Sequence, residues 1–353
     1  MKKMYLAIAS ILISLAITSC YKSDLGANNT TTVENESNPK GGNITTTANP
    51  VIANMGYITI GRGSNARSYY SIAVMDANGT NQTHLYYSSG LGFNPAFRHL
   101  TWSPTAGNVC FIEADSKVKK LSVTLVNGVP TGSNVTDLAT FTAFDSVFIR
   151  NIAWSPSSST SEIAFTKTRY APTDVSQRRS SIMAISPSGG TPTEIYYELG
   201  SIINSITWSP DGSKIALLSL CAYGSNTGVR TIKIINRSTG EVLNSYNMGT
   251  TDIRYLNWSR TGLNKLLFTT RSGTNTGNLY TFDLDEASPS PVQVTLSTGA
   301  NPTHPDWTAD NSKIIYIDNR SQPDNGCKTV TLSNGSIATI NSTLPVAYPD
   351  WKR

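Results

Sequence analysis

Three histidines, four cysteines and a recurring arginine are the residues of this chain whose types and spacing bear on chemistry. His84, His99 and His304 are the whole histidine complement, and no H-E-x-x-H or other ligand spacing links them, so neither a metal nor a cofactor is expected. His99 and His304 occupy one slot, each three residues before a tryptophan (Trp102 and Trp307). Two imidazoles facing each other across a cavity could share a metal ion; the reading taken is that both are structural or solvated. Arg98, Arg150 and Arg254 occupy a second slot, four residues before Trp102, Trp154 and Trp258. Clustered guanidinium groups suit carboxylate or phosphate recognition through paired hydrogen bonds. Scattered, each would pair with a nearby acid, such as Asp145 or Asp252, and fasten a loop. Asp306 and Asp350, each directly before a tryptophan, read as partners of neighbouring backbone rather than as catalytic acids. Cys110, Cys221 and Cys327 form no C-x-x-C and read as small buried hydrophobes. No G-x-S-x-G supplies a nucleophile elbow, and the glycines read as turns rather than as a phosphate cradle. A non-catalytic protein is expected.

The fourth cysteine, Cys20, belongs to a different pattern. Lys2 and Lys3 precede an apolar stretch from Tyr5 to Ile17, which is too short for a membrane span and suits a secretory leader. The stretch ends at Ile17-Thr18-Ser19-Cys20, which resembles the bacterial lipobox. That resemblance implies diacylglyceryl attachment to the Cys20 thiol, cleavage before it, and a lipoprotein held in the membrane by its acyl chains (palmitate and its like). Residues 1–19 are then a signal peptide. Residues 20–55, rich in Asn, Thr and Gly and without periodicity, are a flexible tether. No Asp follows Cys20, which in the enterobacterial sorting pattern implies the outer membrane, on its periplasmic face or at the cell surface.

The remainder, 56–353, must position whatever site exists. The chain is 39% hydrophobic and only 14% charged, which excludes a disordered chain, and Asn, Thr, Ser and Gly outnumber the helix formers. The nominal charge of +5 comes from 28 basic and 23 acidic residues; without Lys2 and Lys3 it is +3. With no dense basic tract, nucleic acid is not a partner. All six tryptophans, Trp102, Trp154, Trp208, Trp258, Trp307 and Trp351, recur at intervals of 52, 54, 50, 49 and 44 residues. Each interval carries a turn, shown best at Ser209-Pro210-Asp211-Gly212, then an apolar run such as Ile215 to Leu218. A third run (Ile232 to Ile235) and, in several repeats, a more polar fourth one (Glu194 to Glu198) complete the unit. Four antiparallel strands per period of about 40–50 residues predict a β-propeller blade.

The run from Trp208 to Ala216, W-S-P-D-G-S-K-I-A, resembles the WD40-like repeat of the TolB C-terminal propeller, and degenerate copies cover residues 56 to the end. The class expected is all-β, a six-bladed propeller of four-stranded blades. The final repeat holds only a first strand, ending at Trp351, while Tyr57-Ile58-Thr59-Ile60 reads as a second strand with no first. Pairing the two closes the ring. In such a ring the three arginines lie around one mouth of the channel. His99 and His304, assigned to blades two and five, lie near the channel on roughly opposite sides.

The resemblance to TolB implies protein partners in the cell envelope. The chain is therefore expected to be an acylated, monomeric binding or scaffold module. The alternative is a surface or periplasmic protein binding an acidic glycan, peptide or small ligand, or a degenerate polysaccharide lyase, at the channel mouth. The tyrosine pairs Tyr69-Tyr70, Tyr86-Tyr87 and Tyr196-Tyr197 either stack on sugars or alternate between blade packing and solvent.

Overall fold

The computed structural model describes residues 55–62, 68–87, 97–141, 147–156, 161–170, 174–222, 228–260, 262–272, 276–294, 296, 299–319, 326–340 and 346–351. The leader, Cys20, the tether as far as residue 54, and Asp145 lie outside them.

Twenty-four strands form six four-stranded antiparallel sheets arranged as a ring of blades. Blade 1 is built from both ends of the domain: β24 (Ala347–Trp351), β1 (Met55–Arg62), β2 (Ser68–Met75) and β3 (Thr83–Tyr87). The others run in sequence. Blade 2 is β4 (Phe97–Trp102), β5 (Asn108–Glu113), β6 (Lys117–Val126) and β7 (Val129–Thr140); blade 3 is β8 (Val147–Trp154), β9 (Ile163–Arg169), β10 (Arg179–Ile185) and β11 (Thr193–Leu199). Blade 4 is β12 (Ser201–Trp208), β13 (Lys214–Cys221), β14 (Arg230–Asn236) and β15 (Val242–Asn247); blade 5 is β16 (Asp252–Trp258), β17 (Lys265–Ser272), β18 (Thr276–Asp283) and β19 (Pro291–Val294). Blade 6 is β20 (Pro302–Trp307), β21 (Lys313–Asp318), β22 (Gly326–Thr331) and β23 (Ile337–Thr339). The closure read from the sequence is present, with Met55 opposite Trp351 and Gly56 opposite Asp350.

Every first strand ends on its tryptophan, because the turn that follows is set locally. The Gly212 N–H donates to the Ser209 carbonyl at 2.9 Å, and Gly212 sits at φ 74°, the left-handed region that glycine enters at little cost. Ala106 and Asn311 adopt the same conformation at the equivalent position (φ 56° and 58°), so the turn outlives the loss of its glycine. At the far end of blade 2, Asn127 and Gly128 both have positive φ and join Val126 to Val129 in the two-residue hairpin that this dipeptide favours.

The core is divided into six apolar clusters, one at each junction between blades, and each contains one tryptophan. Trp102 packs with Ile58, Ile72 and Val74 of blade 1, and Trp307 with Leu267 and Leu279 of blade 5. A tryptophan thus fills the gap toward the preceding blade, which explains one copy per repeat. Gly56 leaves room for the Trp102 indole, whose Nε1 would lie 3.0 Å from an added Cβ.

The residue before each tryptophan then ties its blade to the next. Thr101 accepts the Trp154 N–H (3.2 Å), Thr207 the Trp258 N–H (3.0 Å), Asp306 the Trp351 N–H (2.7 Å) and Asp350 the Trp102 N–H (2.8 Å). The remaining junctions use the Ala153 carbonyl, which accepts from Trp208 Nε1 at 3.0 Å, and Asn257 Nδ2, which donates to the Pro305 carbonyl. Asp306 and Asp350 do hold backbone, but that of the next blade's tryptophan rather than only of their own turn, so both fasten the ring.

The thiols fall in blades 2, 4 and 6. Cys110 and Cys327 are buried, and burial pushes the Cys110 thiol well above its usual range and that of Cys327 up to about 12. Cys221 is only half-buried, at the rim of a groove, which corrects the expectation of three buried thiols.

Candidate functional site: the axial channel and its arginine-bearing mouth

The innermost strands share one irregularity. Each pairs with its second strand through a register shift near the residue three before the tryptophan. A bulge re-aims a side chain, and here it turns one residue of each blade into the channel: Tyr348, His99, Asn151, Ser205, Tyr255 and His304. Four of them, His99, Tyr255, His304 and Tyr348, have φ between 42° and 57°. Non-glycine residues hold that conformation at a cost of about 1–3 kcal/mol each, which the surrounding sheet must offset.

These side chains form a continuous circuit about the axis. The Tyr348 ring lies 4.8 Å from His99 and 4.1 Å from His304, and Tyr255 lies 4.1 Å from His304. On the other side, Asn151 Oδ1 accepts the Ile206 N–H at 3.2 Å, which directs its Nδ2 as donor to His99 Nδ1 at 3.3 Å. The ring of His99 is then neutral with its proton on Nε2. Ser205 Oγ accepts the Leu256 N–H at 3.0 Å and closes the circuit to blade 5.

The two histidines are not on opposite sides of the ring. His304 belongs to blade 6, the neighbour of blade 1 on one side as blade 2 is on the other, and its ring centroid is 6.1 Å from that of His99. The expected separation came from miscounting across the closure: the blade that straddles the chain ends stands between them, and Tyr348 of that blade packs against both. Both do line the channel. Tyr348, Tyr255, Asn151 and Ser205 were missed, although the same three-residue offset, applied to all six repeats, selects them.

Burial, and then the Arg98 charge, push His99 down to about 3, and burial followed by His99 pushes His304 well below the usual imidazole range. In the unfolded chain both take up protons near pH 6.5, whereas in the folded protein His99 stays neutral until about pH 3 and His304 until well below its usual range. The unfolded state thus binds more protons across that window, and stability declines as pH falls through it. The urea midpoint is expected to drop between about pH 7.5 and about pH 5, and the H99N/H304Q double variant to flatten that drop; equal slopes would refute the assignment.

Arg98, Arg150 and Arg254 lie near the starts of their strands, at the mouth from which the innermost strands enter the channel. They do not form one even ring. Arg254 pairs with Asp252 at 2.9 Å, and Arg230 holds the same carboxylate at 2.6 Å, which is the loop-fastening arrangement. Arg98 pairs with Asp115 at 2.5 Å, an acid on the β5–β6 turn that the sequence did not single out. Ala114 and Asp115 both have positive φ there, and the Asp115 carbonyl accepts the Ile149 N–H of blade 3. Arg150 is exposed and makes no ion pair among the described residues. Partial loss of hydration at the crowded mouth, and then the nearby charges of Arg98 and Arg178, hold Arg150 below the ordinary arginine value against the pull of Asp115.

Two of the three tyrosine pairs alternate between packing and solvent; the side chain of Tyr69 lies outside what is described. Tyr86 packs on Phe97 and Phe111 while Tyr87 is half-exposed against His84; Tyr196 donates to Glu198 while Tyr197 lies under Arg179.

Six four-stranded blades around a tryptophan-built core define a six-bladed β-propeller, and the fold is TolB-like. The putative TolB of Agrobacterium tumefaciens superposes with a TM-score of 0.52 at 15% identity, covering 82% of this chain and 90% of that one. An oligogalacturonate lyase of Vibrio parahaemolyticus gives 0.50 at 10% identity (81% and 74%), and a periplasmic gluconolactonase of Pseudomonas aeruginosa 0.50 at 11% (84% and 98%). No protein-family model and no curated protein matches the chain. The likeness is one of fold.

Proposed function

We infer that this chain is a non-catalytic envelope lipoprotein whose propeller binds a protein partner through the channel mouth. The observation that carries the reading is the axial circuit. It sets neutral imidazoles, phenols, an amide and a hydroxyl, held by one another and by backbone, across the channel. The charged groups stand instead at the mouth, where a partner's surface would meet them. Residues 1–20 supply the acyl anchor and the envelope location, and TolB-like propellers offer a precedent for protein contacts.

The test is crosslinking in the intact envelope of the producing bacterium, with the full chain as bait and an R98A/R150A/R254A variant as control. A protein captured by the parent and lost from the variant is the expected result. Capture unchanged by the three substitutions moves the contact elsewhere on the propeller. Capture of nothing by either bait overturns the protein-partner reading in favour of an acidic glycan.

A further inference from the structure

Blade 3 carries an arginine that nothing in the sequence singled out. Arg178 is 7% exposed, yet among the described residues it makes no ion pair, and its Nε has no hydrogen-bond partner. The short 3-10 turn Val175–Gln177 delivers it, and the Gly200 N–H donates to its carbonyl, so its backbone is fixed. Its guanidinium lies 4.3 Å above the Tyr170 ring, and Phe148 meets Tyr170 edge-on at 6.1 Å. Buried guanidinium groups are ordinarily paired, because desolvating the charge costs several kcal/mol per ion otherwise. Arg150, on β8 two strands inward, also makes no ion pair among the described residues and stands close enough to feel the Arg178 charge, while Arg98 engages Asp115 beside it. Two arginines thus share the pull of Asp115, while Arg178 has no carboxylate partner among the described residues.

We propose that Arg150 and Arg178, walled by Phe148 and Tyr170, form a carboxylate subsite that receives an acidic side chain of the protein partner. The planar fork of arginine matches a carboxylate with two parallel hydrogen bonds. A peptide fits the wall better than a sugar does: Arg178 covers a face of Tyr170 on which a sugar would stack, while the half-exposed Phe148 offers an apolar contact beside the charge. This assignment rests on the protein-partner reading and names its anchor.

The test is fluorescence anisotropy on the full chain with labelled hexaglutamate, with the uncharged hexaglutamine peptide as reference and hexagalacturonate as competitor. R150M and R178M are each expected to weaken hexaglutamate binding by about tenfold or more, and R178K to restore little, since it keeps the charge and loses the fork. K265M removes one positive charge from a pair with Asp283 on blade 5 and is expected to leave binding unchanged. Because Arg150 is exposed, R150M tests the site even if R178M fails to fold. Unchanged binding by R150M, equal loss in K265M, or equal binding of hexaglutamine would each overturn the subsite. Stronger binding of hexagalacturonate, lost in the same variants, would reassign it to a glycan. If partner capture in the envelope survives R150M/R178M, the subsite falls while the protein-partner reading stands.

Discussion

Restoring the repeat consensus at residue 260 by the substitution R260P destabilises the propeller, by about 3–5 kcal/mol. Three repeats read Trp-Ser-Pro, and the fourth reads Trp258-Ser259-Arg260. Arg260 is 9% exposed; its Nη2 donates to Asp306 Oδ2 at 2.8 Å and to the Trp351 carbonyl at 3.1 Å, with Asp350 at 3.9 Å. Its backbone N–H donates to Asn311 Oδ1 at 2.7 Å, a bond that proline cannot make. One residue therefore joins blades 5, 6 and 1. Removing its charge leaves Asp306, 2% exposed, with only the Trp307 and Trp351 N–H groups among the described residues. R260M, which keeps the N–H, separates the two contributions and is expected to lose most of the same stability. Urea unfolding with a double-mutant cycle against D306N measures the coupling, and an R260P protein as stable as the parent would falsify this account.

Deleting residues 346–353 has the larger effect: the domain loses cooperative folding rather than a single contact. The deleted segment supplies β24 as the innermost strand of blade 1, Val346 and Trp351 to the junction with blade 6, Asp350 to Trp102, and Tyr348 to the axial circuit. Without it β1 has an unpaired inner edge, which invites association with other chains. Calorimetry is expected to show a broadened, earlier transition, and sizing to show oligomers; a peptide of residues 344–353 added in trans should recover part of both. A truncated chain that melts like the parent would mean that β24 does not close the ring.

Much of the architecture was legible in the sequence because each signal was local. The tryptophan interval counted the blades, the Ser-Pro-Asp-Gly turn placed the first hairpin, and the orphan strands at Tyr57 and Trp351 foretold the closure. The site was legible only in part. The slots holding His99, His304 and the arginines were visible as offsets, but an offset gives a residue's place within its blade and not the blade's neighbours. Arg178 lies on a loop outside the repeat, so no periodicity pointed to it. Nothing local marks Arg260 as a fastener, since the side-chain partners of its guanidinium lie 46 and more residues away.

Composition and spacing by themselves determined the class of fold, the number of blades and the residue that fills each junction. Those follow from strand period, turn chemistry and side-chain size, all of which act over a few residues. Tertiary structure alone decided that His99 and His304 meet through Tyr348, that a bulge in every inner strand turns one side chain onto the axis, and that Arg150 and Arg178 stand near one another with no ion pair among the described residues. These depend on closing a ring between the two ends of the domain, which sets residues hundreds of positions apart at contact distance.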